Sequence, residues 1–365
     1  MPEPWDRQLH SRLFYFGEYA SHHYGSMVLN VDGTVKASFN YHRETLYRVK
    51  GETLSFYAPD GATCTSRLTL IQERPMLFHG SSIGLNNRLY LMEALLLPQP
   101  EHPMENSGVL PVALVNTAPK SGTYFLHKVL MTLGFAATDL HLFSNELVDN
   151  RALPRDVSIH RSWWLRSVPL SLSLLGPLLP AGSVSVGHID SLELLEQYQQ
   201  QGIFLIPVVR DLRAILWSLF YFKLAVVEPR DEHDRLWRRQ ATPLAQLLGF
   251  FACYLERDLV HIANCFRTFS RLRGVPVFRY EELSRGHLSQ EAVGYLDTHL
   301  RPCGGAAAFR SALARSYRSP TSTLSDSLPN RPRFSRGDRA ELRRSIDALV
   351  AGSALAEVNA LFGYL

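Results

Sequence analysis

The run Ile203–Val209, seven apolar residues without a break, constrains the fold more than any other segment. A strand with one wet face alternates apolar and polar residues. A strand with no polar position is buried on both faces, which is the situation inside a parallel sheet covered by helices. Neighbouring segments follow the same grammar. Val112–Asn116 is a short apolar run, followed by a small loop and a helical pattern from Ser121 to Leu133 whose stripe is Tyr124, Phe125, Val129, Leu130 and Leu133. Ser183–Ile189 and Val275–Tyr280 are further strands. A helix is expected after Asp190-Ser191-Leu192-Glu193, which has capping-box spacing, and should end at Gly202. Asp211 caps another, Thr242-Pro243 opens a third that reaches about Phe269, and a final helical region runs from Asp338 to about Phe362. Strands alternating with helices predict an α/β domain, a parallel sheet as the middle of three layers. Arg301–Pro332 is rich in small residues and reads as loop.

Upstream the pattern changes. Ser26–Val31, Val35–Phe39, Thr45–Val49, Thr53–Tyr57 and Arg67–Ile71 are short runs separated by turn signals at Asp32-Gly33, Lys50-Gly51 and Asp60-Gly61. That spacing predicts an antiparallel meander. Pro98–Pro111 reads as a linker. The chain is therefore divided into a β-rich N-terminal region, 1–107, and an α/β domain, 108–365, with no internal repeat.

The 365 residues carry a net charge of +4 and a 46% hydrophobic fraction, the balance of a globular protein. The charge suits a small polyanion and is too scattered to argue for nucleic acid. Lysine occurs only at Lys36, Lys50, Lys120, Lys128 and Lys223, every other cation being arginine, so a lysine in a motif is a specific choice of a compact, mobile charge. Cys64, Cys253, Cys265 and Cys303 are widely spaced and form no CxxC pair. Neither zinc nor a disulfide framework is expected, and the cytoplasm is the expected compartment. No transmembrane segment is expected: the uncharged stretch Ser167–Gly187 is interrupted by Pro169, Pro177 and Pro180. Met1–Trp5 lacks a signal-peptide pattern.

Ala118-Pro119-Lys120-Ser121-Gly122-Thr123 lies between a strand and a helix. Amides at a helix N-terminus are unpaired and carry the positive end of the macrodipole. Gly122 permits close approach, Ser121 and Thr123 add hydroxyls, and Lys120 adds charge, which together make a phosphate cradle. A Walker loop has lysine after its second glycine and a hydroxyl next to it for magnesium. Here lysine precedes the glycine, so the segment resembles instead the 5′-phosphosulfate loop of sulfotransferases that use 3′-phosphoadenosine-5′-phosphosulfate (PAPS), roughly PK-[ST]-GT-[ST]-[WF]-L. Tyr124 replaces the second hydroxyl, Phe125 the aromatic, and Leu126 matches.

A second element of that resemblance is Val208-Val209-Arg210-Asp211 with Ser218, similar to the family's strand–RxPxxxxxS–helix element, with Leu212 in place of proline. It implies that Arg210 and Ser218 hold the 3′-phosphate; an arginine at a strand's carboxyl end can grip phosphate bidentately. Tyr280 and Glu281 in Val277–Leu283 resemble the family's YEDL-type strand end and are read as structural, with Tyr280 bordering the nucleotide as the alternative. Arg333-Phe334-Ser335-Arg336-Gly337-Asp338 is similar to the C-terminal RxGxxGDW segment, so either Arg333 or Arg336 is the implied third phosphate ligand. His188, in Val186-Gly187-His188-Ile189, stands where the family carries its base. Imidazole, with an ordinary pKa near ~6.5, can take an acceptor's proton at neutral pH.

The resemblance thus implies a P-loop-type sulfotransferase fold over 108–365. The expected activity is that of an EC 2.8.2-type enzyme, moving a sulfuryl group from PAPS to a hydroxyl or amine and leaving adenosine 3′,5′-bisphosphate (PAP). His188 and Lys120 are the catalytic residues; Lys120, Ser121, Gly122, Thr123, Tyr124, Arg210, Ser218, Arg333 and Arg336 hold the donor; no metal takes part. The acceptor is a small molecule, saccharide or lipid, with His141, Arg161 and the apolar insert from Trp163-Trp164 to Leu179 as candidate contacts. A homodimer is left open. Two other readings stand beside it: a P-loop kinase or NTPase, and an inactive nucleotide-binding protein on the same fold.

Overall fold

The structure is a computed structural model. It describes residues 5–10, 12–18, 23–37, 43–73, 76–85, 87–93, 110–144, 146–150, 167–169, 179–227, 229, 231–254, 258–317 and 334–364. The expected linker up to residue 109, Arg161, Trp163-Trp164 and Arg333 lie outside these. Packing divides the chain into two units. One comprises Met1–Gln99, Asn145–Arg151 and Arg166–Pro180; the other Pro100–Ser144, Ala152–Leu165 and Ala181–Leu365.

The first unit holds β1 (Leu13–Glu18), β2 (His23–Leu29), β3 (Val35–Ala37), β4 (Leu46–Lys50), β5 (Thr53–Tyr57), β6 (Cys64–Glu73), β7 (Met76–Ser82) and β8 (Arg88–Glu93). They pair antiparallel in the order β3-β2-β1-β8-β7-β6-β5-β4. The two ends of that order also meet. Val35 N donates to Thr45 O at 2.9 Å, Tyr47 N donates to Gly33 O at 2.8 Å, and Thr34 bridges to Leu46. The meander is therefore closed at this short seam into an eight-stranded barrel. Period-2 alternation sends Phe14, Phe16, Met27, Leu54, Phe56, Leu68, Phe78 and Leu91 inward, where they are buried together. An interior of this size is filled by its side chains. Gly80 is required there, because a Cβ would lie 1.8 Å from Arg67 O. Three strands are additional to the five expected: β1, β7 and β8. Alternation is blurred in β1, where outward Tyr15 is buried as well as Phe14 and Phe16.

The second unit holds β9 (Ala113–Thr117), β10 (Ala136–Phe143), β13 (Ser183–His188), β14 (Phe204–Val209) and β15 (Phe278–Arg279), all parallel, in the order β10-β13-β9-β14-β15. Between them in sequence, β11 (Glu146–Asp149) and β12 (Ser167–Pro169) pair antiparallel and group with the first unit. β14 is buried at every position, as its unbroken apolar run requires. Phe204 N donates to Val112 O on the β9 side, so the amide that Pro207 lacks belongs to the other side, where β15 pairs only from Val208.

The helices are α1 (Thr123–Thr132), α2 (Leu192–Gln200), α3 (Leu212–Ala225), α4 (Glu232–Arg238), α5 (Pro243–Tyr254), α6 (Val260–Arg271), α7 (Tyr280–Leu283), α8 (Gln290–His299), α9 (Gly305–Tyr317), α10 (Arg336–Ala351) and α11 (Leu355–Ala360). One sheet face, Val115, Val184, Val186, Ile206 and Phe278 among it, packs with α1, α8 and α9. The helix expected from Pro243 to about Phe269 is described as α5 and α6, and residues 255–257 between them lie outside the described residues. The final helical region comprises α10, which ends at Gly352, and α11, ahead of which Ser353 Oγ accepts from Leu355 N. Two expectations are corrected. Part of the expected loop 301–332 is α9: its alanines are strong helix formers, and Ala306, Phe309, Ala312 and Leu313 make one buried stripe. Finally, α2 is capped by Ser191, which accepts from Leu194 N, and not by Asp190, whose carboxylate is held by Ser144 and His261.

Candidate active site

The loop after β9 is a tight turn closed by Ser121 N donating to Ala118 O at 3.1 Å. Lys120 sits in the left-handed region at φ 66°, which costs a non-glycine residue about 1–2 kcal/mol; such strain persists where surrounding structure enforces it, often at functional sites. Gly122 caps α1 at φ 97°. A Cβ on it would lie 2.5 Å from the Tyr280 ring, so the position needs glycine on both grounds.

Arg210 leaves the carboxyl end of β14 and donates from Nη1 to Lys120 O at 3.2 Å. Its guanidinium lies over the Tyr280 ring at 4.7 Å, and Glu281 stands 4.0 Å from Nε. Glu281 is itself engaged by the Asp211 amide and the Tyr364 hydroxyl. Lys120 extends to the face of Phe222 on α3, with Nζ 3.8 Å from the ring centroid. Burial, then the charges of Arg210 and Lys223, lower the Lys120 pKa to about 7. Ser218 is one helical turn before Phe222 and shares its face of α3.

His188 ends β13. Gly187 beside it pairs with Asn116 on β9, and the buried Asn116 amide extends that pairing past the strand end, accepting from Ile189 N at 2.8 Å and donating to Ile189 O at 3.0 Å. His188 Nδ1 lies 2.7 Å from Thr117 O. A carbonyl only accepts, so Nδ1 carries the proton and Nε2 keeps a lone pair. Thr117 Oγ1 stands 3.3 Å from the same nitrogen and 2.6 Å from Thr123 Oγ1 on the first turn of α1. Burial, then His141, push the His188 pKa well below the usual imidazole value, against the raising effect of the Thr117 carbonyl; His261 and Lys120 push further down.

An aromatic wall stands beside this histidine. His141 stacks on Phe143 at 4.8 Å, and their rings lie 4.6 and 5.8 Å from His188. Tyr124 OH is 3.3 Å from His141 Nδ1. Below the wall, Asp190 is bonded to Ser144, to His261 Nδ1 at 3.1 Å, and through its carbonyl to Thr268 Oγ1 at 2.7 Å.

The structure thus brings Lys120, Ser121, Gly122, Thr123 and Arg210 to adjoining strand ends, with His188 tied to them through Thr117. Tyr124 points to His141 and not into the loop. Ser218 faces the same way as Phe222. Arg336 is exposed on the first turn of α10, where Ser335 and Asp338 form a capping box. Sequence reasoning missed Asn116, Thr117, Phe143 and Phe222. Phe222 had a signal, its four-residue spacing from Ser218; Asn116 and Thr117 looked like ordinary strand residues.

Donors suited to an anion remain at the loop. Ser121 Oγ and Arg210 Nε are buried and have no hydrogen-bond partner. Left unsatisfied, such groups cost about 1–3 kcal/mol each, and the phosphates of a PAPS-type nucleotide would satisfy them. Among the described residues no group of three or more histidine, cysteine, aspartate or glutamate side chains could hold a metal ion, and no helix is long and apolar enough to cross a membrane.

No protein-family profile matches the chain, and no curated protein matches it by sequence. Among solved structures, mouse sulfotransferase SULT7A1 complexed with PAP is similar at 15% sequence identity and a TM-score of 0.36, over 69% of this chain and 88% of that one.

Proposed function

We propose that this protein is a sulfotransferase, moving the sulfuryl group of PAPS to an acceptor hydroxyl or amine, with residues 108–365 as a three-layer P-loop-type domain. The observation that carries the reading is that Lys120, Arg210 and His188 meet at the carboxyl ends of three adjacent parallel strands, β14, β9 and β13, where open α/β sheets bind ligands. Lys120, the loop amides, Ser121 and Thr123 hold the 5′-phosphosulfate; Arg210 and Ser218 hold the 3′-phosphate, with Arg333 or Arg336 as the third ligand. His188 Nε2 takes the acceptor's proton as the new bond to sulfur forms, and PAP leaves with the electron pair of the broken S–O bond. Preorganised cations and N–H donors stabilise charge that builds on the sulfuryl and bridging oxygens. Because Thr117 Oγ1 can accept from His188 and give its own proton to Thr123, the Thr123 hydroxyl proton is free to face the donor. A cytoplasmic location accords with four free thiols.

The experiment is a thermal-shift comparison followed by transfer of labelled sulfate. PAP without magnesium should raise Tm, whereas ATP should do so weakly. Lys120→Ala and His188→Ala should then abolish transfer with the fold intact. Absence of any PAP shift, or full turnover in both variants, would sink the reading.

A further inference from the structure

Two side chains of the segment 355–364 reach the turn from which Arg210 leaves β14. Asn359, buried on α11, accepts from Leu212 N at 3.0 Å and donates from Nδ2 to Asp211 Oδ1 at 3.2 Å. The first amides of a helix have no partner within it. Asp211 takes the Arg213 amide and Asn359 takes that of Leu212, so the first two amides of α3 are bonded, one of them by a distant element. Tyr364, carried on the same anchored segment and also buried, donates to Glu281 Oε2 at 2.5 Å. The other carboxylate oxygen, Oε1, accepts from Asp211 N at 3.2 Å and stands 4.0 Å from Arg210 Nε, beyond hydrogen-bond reach. Arg210 Nε is buried without a hydrogen-bond partner.

A carboxylate next to a guanidinium gains most by closing into a paired, charge-assisted contact. Glu281 does not close, because each of its oxygens is already tied, one to the Asp211 amide and the other to the Tyr364 hydroxyl. We propose, resting on the nucleotide reading of this site, that Tyr364 is a positioning residue: by holding Glu281 off Arg210 it keeps that guanidinium open for a phosphate of the nucleotide. Without the hydroxyl, Glu281 loses one of its two ties. The nearest cation then open to it is Arg210, since Arg279 is paired with Glu282 at 3.1 Å and lies over the Tyr364 ring at 4.5 Å. Glu281 closes on Arg210 and competes with the ligand from within the protein. Two simpler roles give different results. If Tyr364 only docked its segment, its loss would lower stability and leave nucleotide affinity alone. If Glu281 served to orient Arg210, its neutralisation would weaken binding.

The test is the Kd of PAP, measured by calorimetry without magnesium on the full-length protein, for wild type, Tyr364→Phe, Glu281→Gln and the double variant, with the Tm of each free protein. Tyr364→Phe should raise Kd roughly tenfold, a coupling typical of residues in one hydrogen-bond and ion-pair network. In the Glu281→Gln background the same change should move Kd by less than about twofold, because an uncharged amide competes weakly for a guanidinium. Glu281→Gln alone should bind PAP at least as tightly as the wild type, and this decides the matter if Tyr364→Phe does not fold. An unchanged Kd in Tyr364→Phe, whatever its Tm, overturns the proposal. So does an equal loss in both backgrounds, or weaker binding by Glu281→Gln alone. A wild-type protein that binds no PAP removes the nucleotide reading and this role of Tyr364 together, whereas the other three outcomes remove the role of Tyr364 alone.

Discussion

His188 gives its Nδ1 proton to the main-chain oxygen of Thr117, 2.7 Å away and three residues before Lys120. The proposed base and the proposed anion loop are therefore set by one strand end. The tautomer is fixed by a carbonyl that cannot titrate, and burial with nearby cations favours the uncharged ring. A base of depressed pKa stays competent at lower pH. The acidic limb of kcat/KM, which reports free-enzyme groups, should therefore lie below about pH 6.5, the ordinary imidazole value. A pH profile of kcat/KM, taken with the acceptor well below its KM, checks this; a limb above that value contradicts it.

Lys120 is shifted in the same direction, but its charged form is the one an anion needs. With its pKa lowered to about 7, it is mostly uncharged in the free protein at pH 8, and an anion beside it raises that pKa again. PAP binding at pH 8 should take up close to one proton, and at pH 6 almost none. Calorimetry in buffers of different ionisation enthalpy reads the number directly. In Lys120→Met the uptake should vanish and affinity should fall at both pH values.

Ser121 separates stability from binding. Its hydroxyl is buried without a partner, so Ser121→Ala removes an unsatisfied group and should stabilise the free protein by up to about 1 kcal/mol. The same change removes a donor from the loop, and PAP should bind more weakly. A Tm that rises as Kd rises is the expected pair of readings. A fall in Tm would mean that the hydroxyl has a structural partner.

Much of this arrangement is legible in the sequence because it follows from local rules. An unbroken apolar strand needs cover on both faces, and β14 has it. A lysine-led turn between strand and helix has one position, and Asp211 caps α3 as its spacing demands. The illegible parts depend on distant chain. Closure of the barrel rests on β3 meeting β4 and on β1 meeting β8, pairings that no local period encodes. Asn116 is an apolar-run residue in sequence; its role appears only when β13 lies beside β9 and Ile189 falls within reach. Asp190 had the spacing of a cap, but the long-range partners Ser144 and His261 took its carboxylate and left the cap to Ser191.

Those partners give Asp190 a measurable place in stability. Burial raises its pKa, but hydrogen bonds from His261 and Ser144 and the charge on His261 outweigh it and bring the value down to about 2. A carboxylate depressed in the folded state binds protons more readily when unfolded, so its contribution is complete above the ordinary value near ~4 and is lost as pH falls towards 2. The size of the shift corresponds to about 2 kcal/mol. Asp190→Asn should therefore lower stability by that order at pH 6, and the gap to wild type should close below about pH 4. Urea unfolding of both proteins across that range tests it, with His261→Gln expected to reproduce most of the loss. A gap that stays constant down to pH 3 would mean that packing around residue 190, and not its charge, sets the difference.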